Sequence, residues 1–260
     1  MSLPKPYYDE DGITIYHGDC REILPQLEPV DMIFTDPPYG HNNNDCDLIA
    51  NIERAIPSRR KAGDDGSQVY EARPIANDGP EANELVRWMF KECKRLLKNG
   101  SCCCCCCCCC GGGGPDPQFA RWSLWLDEVL SFKQMVIWDK GPMGMGWHYR
   151  RSYECVLVAQ RDAGKCNWYD ETDRVENIIR HIPKLIPRAT DHPTPKPPEL
   201  PASFIQWHTL PGDVVLDPFM GGGSTAEAAK LTGRRFIGVE LDERWIEIAV
   251  KRLAQGVLAL

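Results

Sequence analysis

Three observations predict an α/β fold with a mostly parallel sheet. Short apolar runs alternate along the chain with stretches of helical periodicity, the pattern of strands joined by crossover helices. Two Pro- or Gly-rich loops, each opening with an acid at Asp36 and Asp217, directly follow such runs. The 260 residues, 43% hydrophobic and 26% charged, suffice for one sizeable core or two small ones and exclude wholesale disorder.

Taken in order, Ile13-Thr14-Ile15-Tyr16 and Met32-Ile33-Phe34-Thr35 read as strands, with a short helix around Arg21 to Leu24 between them. Residues 41–80 turn polar and Gly-rich, the character of a long loop or small insertion. Leu85, Met89, Cys93 and Leu96 recur at helical spacing, with Lys98 in the last turn and Gly100 as a stop. Nine consecutive cysteines follow, Cys102 to Cys110. Ligand cysteines need spacers to converge on one ion, so no metal site is expected there. A continuous run of small, hydrophobe-like thiols instead suits a strand covered on both faces, with Gly111 to Gly114 as the loop at its carboxyl end. Gln134 to Trp138 and Glu154 to Gln160 read as further strands, and 161–191 as a second irregular, polar segment. Five prolines between Pro193 and Pro201 precede a helix through Phe204 and Trp207. Val214 to Leu216 and Arg235 to Val239 bring the expected strands to seven, and a last helix runs from about Glu243 to Leu253 with Asp242 as its N-cap.

Composition narrows the function classes. No charge-free apolar stretch of about 18 residues occurs, which excludes a membrane-spanning helix. The N-terminal residues lack an apolar signal core, and only five cysteines lie outside the run, so the expectation is a reduced, cytoplasmic protein. Net charge is −7, against a wholly basic nucleic-acid coat; residues 1–40 carry a balance of −6 and residues 133–196 a balance of +3. A basic middle suits a nucleic-acid face and equally a solvated surface, so the motifs decide.

The first motif is Thr35-Asp36-Pro37-Pro38-Tyr39-Gly40, directly after a strand. Asp36 and the Pro37 carbonyl suit the exocyclic amine of a flat ring, Pro38 stiffens the turn, and Tyr39 offers a stacking face worth about 1–3 kcal/mol per base. The second is Asp217-Pro218-Phe219-Met220-Gly221-Gly222-Gly223-Ser224-Thr225. Its glycines permit close backbone approach, and Ser224 to Glu227 fits a capping box opening a helix. The spacing is neither the G-x-G-x-x-G of dinucleotide binders nor a P-loop. Glu240, 23 residues after Asp217 and beyond the next strand, is placed to hydrogen-bond the ribose hydroxyls of a nucleoside-like cofactor.

With these motifs the chain resembles the amino-methylating DNA methyltransferases that use S-adenosylmethionine. Asp36-Pro37-Pro38-Tyr39 matches their catalytic tetrad, and Phe219 to Gly223 their F-x-G-x-G cofactor loop. His192-Pro193-Thr194-Pro195-Lys196-Pro197 is similar to the segment preceding that loop, and Gly18-Asp19-Cys20 to the element that reads the cofactor's adenine. The tetrad precedes the cofactor loop, as in the permuted beta class, and the resemblance covers about 10–40, 85–160 and 190–253. It implies a seven-stranded Rossmann-like methyltransferase sheet with helices on both faces and one antiparallel strand. It also implies S-adenosylmethionine held by Asp19, Cys20, Thr194, Lys196, Asp217, Phe219, Gly221, Gly223, Ser224, Thr225 and Glu240. For Asp19 an N-cap in front of Arg21 is the plain structural alternative, and both roles are compatible.

The expectation is therefore one methyltransferase domain over 1–260, with target-reading insertions at 41–80 and 161–191. Double-stranded DNA is the expected partner, its target base flipped out for transfer to adenine N6. Cytosine N4 is the nearest alternative, followed by a catalytically silent, cofactor-responsive DNA-binding module and by methylation of RNA or protein amines. Oligomeric state stays open between monomer and homodimer. Arg59, Arg60, Lys61, Arg150 and Arg151 are the candidate DNA contacts, with Trp138, Trp147, Tyr149 and Trp168 interleaved in the basic stretch.

Overall fold

The computed structural model describes residues 3–39, 79, 81–107, 118–141, 152–172, 174–183 and 196–255. The strands are β1 (Tyr8–Glu10), β2 (Ile13–His17), β3 (Val30–Thr35), β4 (Leu97–Cys107), β5 (Ser131–Asp139), β6 (Tyr153–Gln160), β7 (Ile178–Ile179), β8 (Val214–Asp217) and β9 (Arg235–Glu240). They form one sheet in the order β1-β2-β9-β8-β3-β4-β6-β5-β7. Only β1 and β6 run against the rest. The described helices are α1 (Cys20–Ile23), continued by a 3-10 turn Leu24–Gln26, then α2 (Ala82–Leu96), α3 (Gln118–Asp127), α4 (Glu199–His208), α5 (Ser224–Leu231) and α6 (Glu243–Ala254).

The mostly parallel α/β architecture is as expected, with nine described strands in place of seven. Both additions lie at sheet edges. β1 folds back on β2 through Asp11-Gly12, where φ is +52° and +78°. Asp-Gly is the hairpin signature for such a turn, so this strand was written in the sequence. β7 contributes only two residues, Ile178 and Ile179, to the free edge of β5.

The sheet is covered on both faces. One core packs α1, α2 and α3 against Ile33, Leu216 and Val239; the other packs α4, α5 and α6 against Met32, Phe34, Val215 and Phe236. The cysteine run divides by parity, as strand geometry requires. Cys103 and Cys105 enter the first core, Cys104 and Cys106 the second. Cys102–Cys106 are at most 1% exposed, in a strand flanked by β3 and β6, which matches the reading of a doubly covered central strand. Cys108 to Cys110 and Gly111 to Gly114 lie outside the described residues.

Gly100 is not a helix stop. α2 ends at Leu96 and the chain enters β4 at once. Gly100, with φ +81°, sits where the β3–β4 register jumps from Val30↔Leu97 to Met32↔Cys102, so its positive φ serves a strand irregularity. The N-cap of α6 is Asp242 as expected, its carboxylate accepting from Arg244 N at 3.0 Å. Trp138 is a core residue, buried with its indole N–H donating to the Ile182 carbonyl at 2.8 Å. No helix among the described residues is long and apolar enough to cross a membrane.

Candidate active site

Four adjacent parallel strands, β2, β9, β8 and β3, deliver the predicted residues to one edge of the sheet. Asp19 follows β2, Glu240 ends β9, the glycine loop follows β8, and Asp36 follows β3. Register holds them level: His17 lies opposite Glu240, and Asp217 opposite Gly238. In such sheets ligands bind beyond the carboxyl ends of the strands, where loops are free to vary while the strands stay fixed.

On the cofactor side, Glu240 is fixed by two backbone donors. Gly221 N donates to one carboxylate oxygen and Asp242 N to the other, each at 2.8 Å. Burial pushes this carboxyl upward, and the same backbone donors pull it back. The carboxylate retains unused lone pairs, the acceptors a pair of ribose hydroxyls needs. Asp19 caps α1, accepting from Arg21 N at 2.8 Å, and pairs with the Arg21 guanidinium at 2.5 Å, which holds its carboxyl below the usual range. The cap and a cofactor contact therefore remain compatible at this residue. Cys20 is buried, its thiol pushed up to about 12 by desolvation.

The glycine loop is built differently from a capping box. Gly223 occupies the N-cap position of α5 at φ +80°, and a Cβ there would lie 2.6 Å from the Ala249 Cβ. Only glycine brings the loop this close to α6 in that conformation. Ser224 Oγ does not cap the helix; it donates to the Lys196 carbonyl at 2.7 Å. Arg252 reaches back to Gly222 O and Ser224 Oγ, both at 3.0 Å, and pairs with Glu227 at 3.1 Å. Glu227 is thus drawn away from the role the box would give it. Phe219 is partly buried against the first core.

Asp217 and Thr225 point inward. Asp217 is 2% exposed and accepts from Thr35 Oγ1 at 2.9 Å, Phe219 N at 3.1 Å and Thr225 Oγ1 at 2.7 Å. Its burial outweighs these bonds and raises the carboxyl to about 7. The two residues brace the loop between β3 and α5.

On the catalytic side, the Tyr39 hydroxyl donates to Asp36 Oδ1, and Lys196 Nζ lies 2.5 Å from Asp36 Oδ2 and 3.3 Å from the Tyr39 oxygen. Pro37 and Pro38 are buried beneath them. The Tyr39 ring is backed by Trp122 of α3, centroids 6.1 Å apart and planes 28° apart. Trp122 is itself buried and tied to Asn83 of α2 at 3.2 Å. Thr194 lies outside the described residues, as do 41–78, Arg150 and Arg151.

Two residues of this edge were not anticipated. Glu154, near the start of β6, lies 3.2 Å from Lys196 Nζ in an ionic contact and 2.9 Å from Lys140 Nζ in a hydrogen-bonded one. All three side chains are at most 12% exposed. Burial alone would raise the Glu154 carboxyl; the Lys196 and Lys140 charges overcome it and hold the group at about 2. Because β6 is antiparallel, its first residues lie at the carboxyl ends of its neighbours, with Glu154 opposite Trp138. Asp36, Lys196, Glu154 and Lys140 thus form a ladder of alternating charge leading from the site into the protein.

The chain matches the family model described as DNA methylase, for N6/N4 methyltransferases, over residues 30–251. It is 28% identical to the type II methyltransferase M2.DpnII of Streptococcus pneumoniae, with 96% of this chain and 93% of that one aligned. It is 24% identical to the DNA adenine methyltransferase YhdJ of Escherichia coli K12, covering 95% and 84%. Among solved structures, M1.HpyAVI in complex with SAM superposes with a TM-score of 0.64 at 26% identity, over 93% of this chain and 98% of that one. The cytosine-N4-specific PvuII DNA methyltransferase shares the fold, with a TM-score of 0.69 at 19% identity over 95% and 88%.

Proposed function

The chain belongs to the N6/N4 family of DNA methylases, and from that premise we propose that it transfers a methyl group from S-adenosylmethionine to N6 of adenine in DNA. The observation that carries this reading is the single edge on which an amine-accepting carboxylate at Asp36 and a backed aromatic at Tyr39 stand beside the Gly221–Gly223 loop and Glu240. The donor set suits the cofactor: a carboxylate pre-oriented by two amides at Glu240, a second acid just beyond the adjacent strand at Asp19, and a glycine-rich backbone at Gly221–Gly223. Phe219, Gly221 and Gly223 shape the cradle, while Asp217, Ser224 and Thr225 brace it from behind. Thr194, two residues before Lys196 in the sequence, is assigned to the cofactor with it.

When bound, S-adenosylmethionine supplies an electrophilic methyl on its sulfonium. The chain's task is to present the base. A flipped adenine stacks on the Tyr39 ring, held flat because Trp122 backs that ring. The amine lone pair is delocalised into the purine, so hydrogen bonds to Asp36 and to the Pro37 carbonyl favour a more tetrahedral nitrogen aimed at the methyl. Asp36 Oδ2 is engaged by Lys196, which has a second carboxylate within reach at Glu154. Lys196 can therefore release Asp36 to the incoming amine and stay charge-compensated. Recognition of the flanking sequence is assigned to 41–80 and 161–191, the two long polar segments of the sequence.

A paired measurement tests the assignment. Asp36→Ala removes an interaction needed in the transition state, so turnover falls by on the order of a hundredfold or more while S-adenosylmethionine affinity, measured by calorimetry, stays within about twofold. Glu240→Ala gives the converse, weakened cofactor binding with a smaller effect at saturation. Digesting the methylated DNA to nucleosides identifies the base. N4-methylcytosine would move the target to cytosine, and near-full turnover of Asp36→Ala would remove the amine-accepting role altogether.

A further inference from the structure

A second cluster of reactive side chains lies midway along β4, where its pairing with β6 begins, outside the machinery just described. Cys102 Sγ is 2.9 Å from Cys166 Sγ, in the stretch after β6, and Cys166 Sγ is 3.9 Å from His208 Nδ1 at the end of α4. Register gives the distance from the catalytic edge. Cys102 lies opposite Met32 and Cys105 opposite Thr35, so Cys102 sits three residues, roughly 10 Å, back from the residue that precedes Asp36. The loop carrying Cys166 is clamped from both sides. Arg161 N donates to Ser101 O and Asn167 N to Gly100 O, each at 3.0 Å, and Tyr169 N donates to Trp207 O at 2.8 Å.

The arrangement suits thiol chemistry better than metal binding. His208 Nδ1 lies 3.0 Å from the Asn167 carbonyl oxygen, and only an N–H can face that acceptor. The nitrogen nearest the sulfurs thus carries its proton and offers no lone pair to an ion. Two thiolates on a tetrahedral zinc, with bonds of about 2.3 Å, stand about 3.8 Å apart. At 2.9 Å the two sulfurs are closer than that and within reach of one another for sulfur–sulfur bond formation. Their environments also differ. Cys102 is fully buried, whereas Cys166 is part-exposed. The Cys102 S–H, followed by His208 and the Lys133 charge, outweighs partial burial and draws the Cys166 thiol down to about 5. The same contact and burial drive the Cys102 thiol upward. Cys104, Cys105 and Cys106 are pushed well above the ordinary thiol range by desolvation, so these three are inert.

We propose that Cys166 and Cys102 form a peroxide-reactive dithiol, with Cys166 as the nucleophile and Cys102 as the resolving thiol. The Cys166 thiolate attacks one oxygen of a hydroperoxide; the O–O bond breaks, the leaving alkoxide or hydroxide takes up a proton, and Cys166 becomes a sulfenic acid. The Cys102 sulfur then attacks the Cys166 sulfur. Its proton leaves with the displaced hydroxyl as water, and the two thiols end as one disulfide, two electrons having passed to the peroxide. The bond ties the 161–172 segment to β4 three residues back from the Thr35 position, and the thiol chemistry itself does not rest on the methyl-transfer reading.

The test uses the full chain, fully reduced and desalted. At pH 6, where an ordinary thiol is about 0.3% ionised, brief iodoacetamide treatment of the native protein should label Cys166 ahead of every other cysteine. One equivalent of hydrogen peroxide should join the Cys166 peptide to the peptide carrying Cys102. Cys102→Ser should stop at the sulfenic acid and give a dimedone adduct on Cys166, and Cys166→Ser should abolish both products. Labelling of Cys166 no faster than in the unfolded chain, or the absence of an adduct in Cys102→Ser, overturns the proposal. So does stoichiometric zinc in the purified protein that is lost in Cys166→Ser, which would make the cluster a metal site.

Discussion

Replacing Glu154 by Gln removes one charge from the ladder at almost constant shape. The carboxylate lies between Lys140 and Lys196 at 2.9 and 3.2 Å, and all three groups are nearly buried. Its carboxyl stands at about 2 against an ordinary value of 4.5. At about 1.4 kcal/mol per unit, that difference is worth about 3 kcal/mol to the folded state, in line with the roughly 3–5 kcal/mol lost when one member of a buried pair is removed. A depressed acid contributes its stability in full above its unfolded value and loses it as pH falls towards the folded one. Urea unfolding should thus find Glu154→Gln weaker by about 3 kcal/mol at pH 7, with the gap closing between pH 4.5 and pH 2. Turnover should fall too, because Lys196 loses its alternative to Asp36. If the two lysines share the stabilisation equally, Lys196 accounts for roughly 1.5 kcal/mol, about tenfold in rate. Adding Lys140→Met should restore part of the stability and none of the rate, since an apolar replacement of a buried pair is often neutral or better. A Glu154→Gln protein with wild-type turnover and less than about 0.5 kcal/mol of lost stability would refute the ladder.

Asp217 should show the opposite pH dependence: with its carboxyl raised to about 7, the folded state holds more protons than the unfolded one, so its contribution is full below about pH 4 and declines up to pH 7. Asp217→Asn, which can still meet Thr35 and Thr225, should flatten that decline by up to about 1.4 kcal/mol per pH unit in denaturant titrations; an unchanged slope would place the ionised form in the fold. Gly223→Ala should cost about 2–4 kcal/mol, combining left-handed backbone strain with overpacking against Ala249, and should weaken cofactor binding by calorimetry more than it slows transfer at saturation.

How much of this was legible follows from where each signal resides. Asp36, Tyr39, Asp19 and Glu240 each follow a short apolar run, and the rule that sites gather at strand ends needs only that local pattern. The cysteine run was readable for the same reason, since a doubly covered strand asks only for uniformly apolar residues, and parity then sends them to opposite cores. Glu154 is different. In sequence it is one acid at the head of an apolar strand, and nothing local says that this strand is antiparallel and delivers its first residues to the catalytic edge. Lys140 becomes visible only once Glu154 is placed. The capping box failed because a neighbour outbid it: Gly223 in a left-handed conformation took the N-cap position, and Lys196, distant in sequence, took the Ser224 hydroxyl.

Lys196 is where the two halves of the site meet. Its ammonium touches Asp36 and Glu154, and its carbonyl accepts from Ser224 at the head of α5. Ser224 in turn accepts from Arg252, which also holds the Gly222 carbonyl. A continuous set of contacts therefore runs from the Gly222 loop through Arg252, Ser224 and Lys196 to the Asp36 carboxylate. The permuted motif order explains why that junction falls on a Pro-rich linker: the segment before α4 is the stretch of chain that must cross from the catalytic half to the cofactor half. A lysine placed there has its backbone fixed by one half and its charge by the other. With Glu154 in reach, the ammonium can leave Asp36 without becoming an unpaired buried charge.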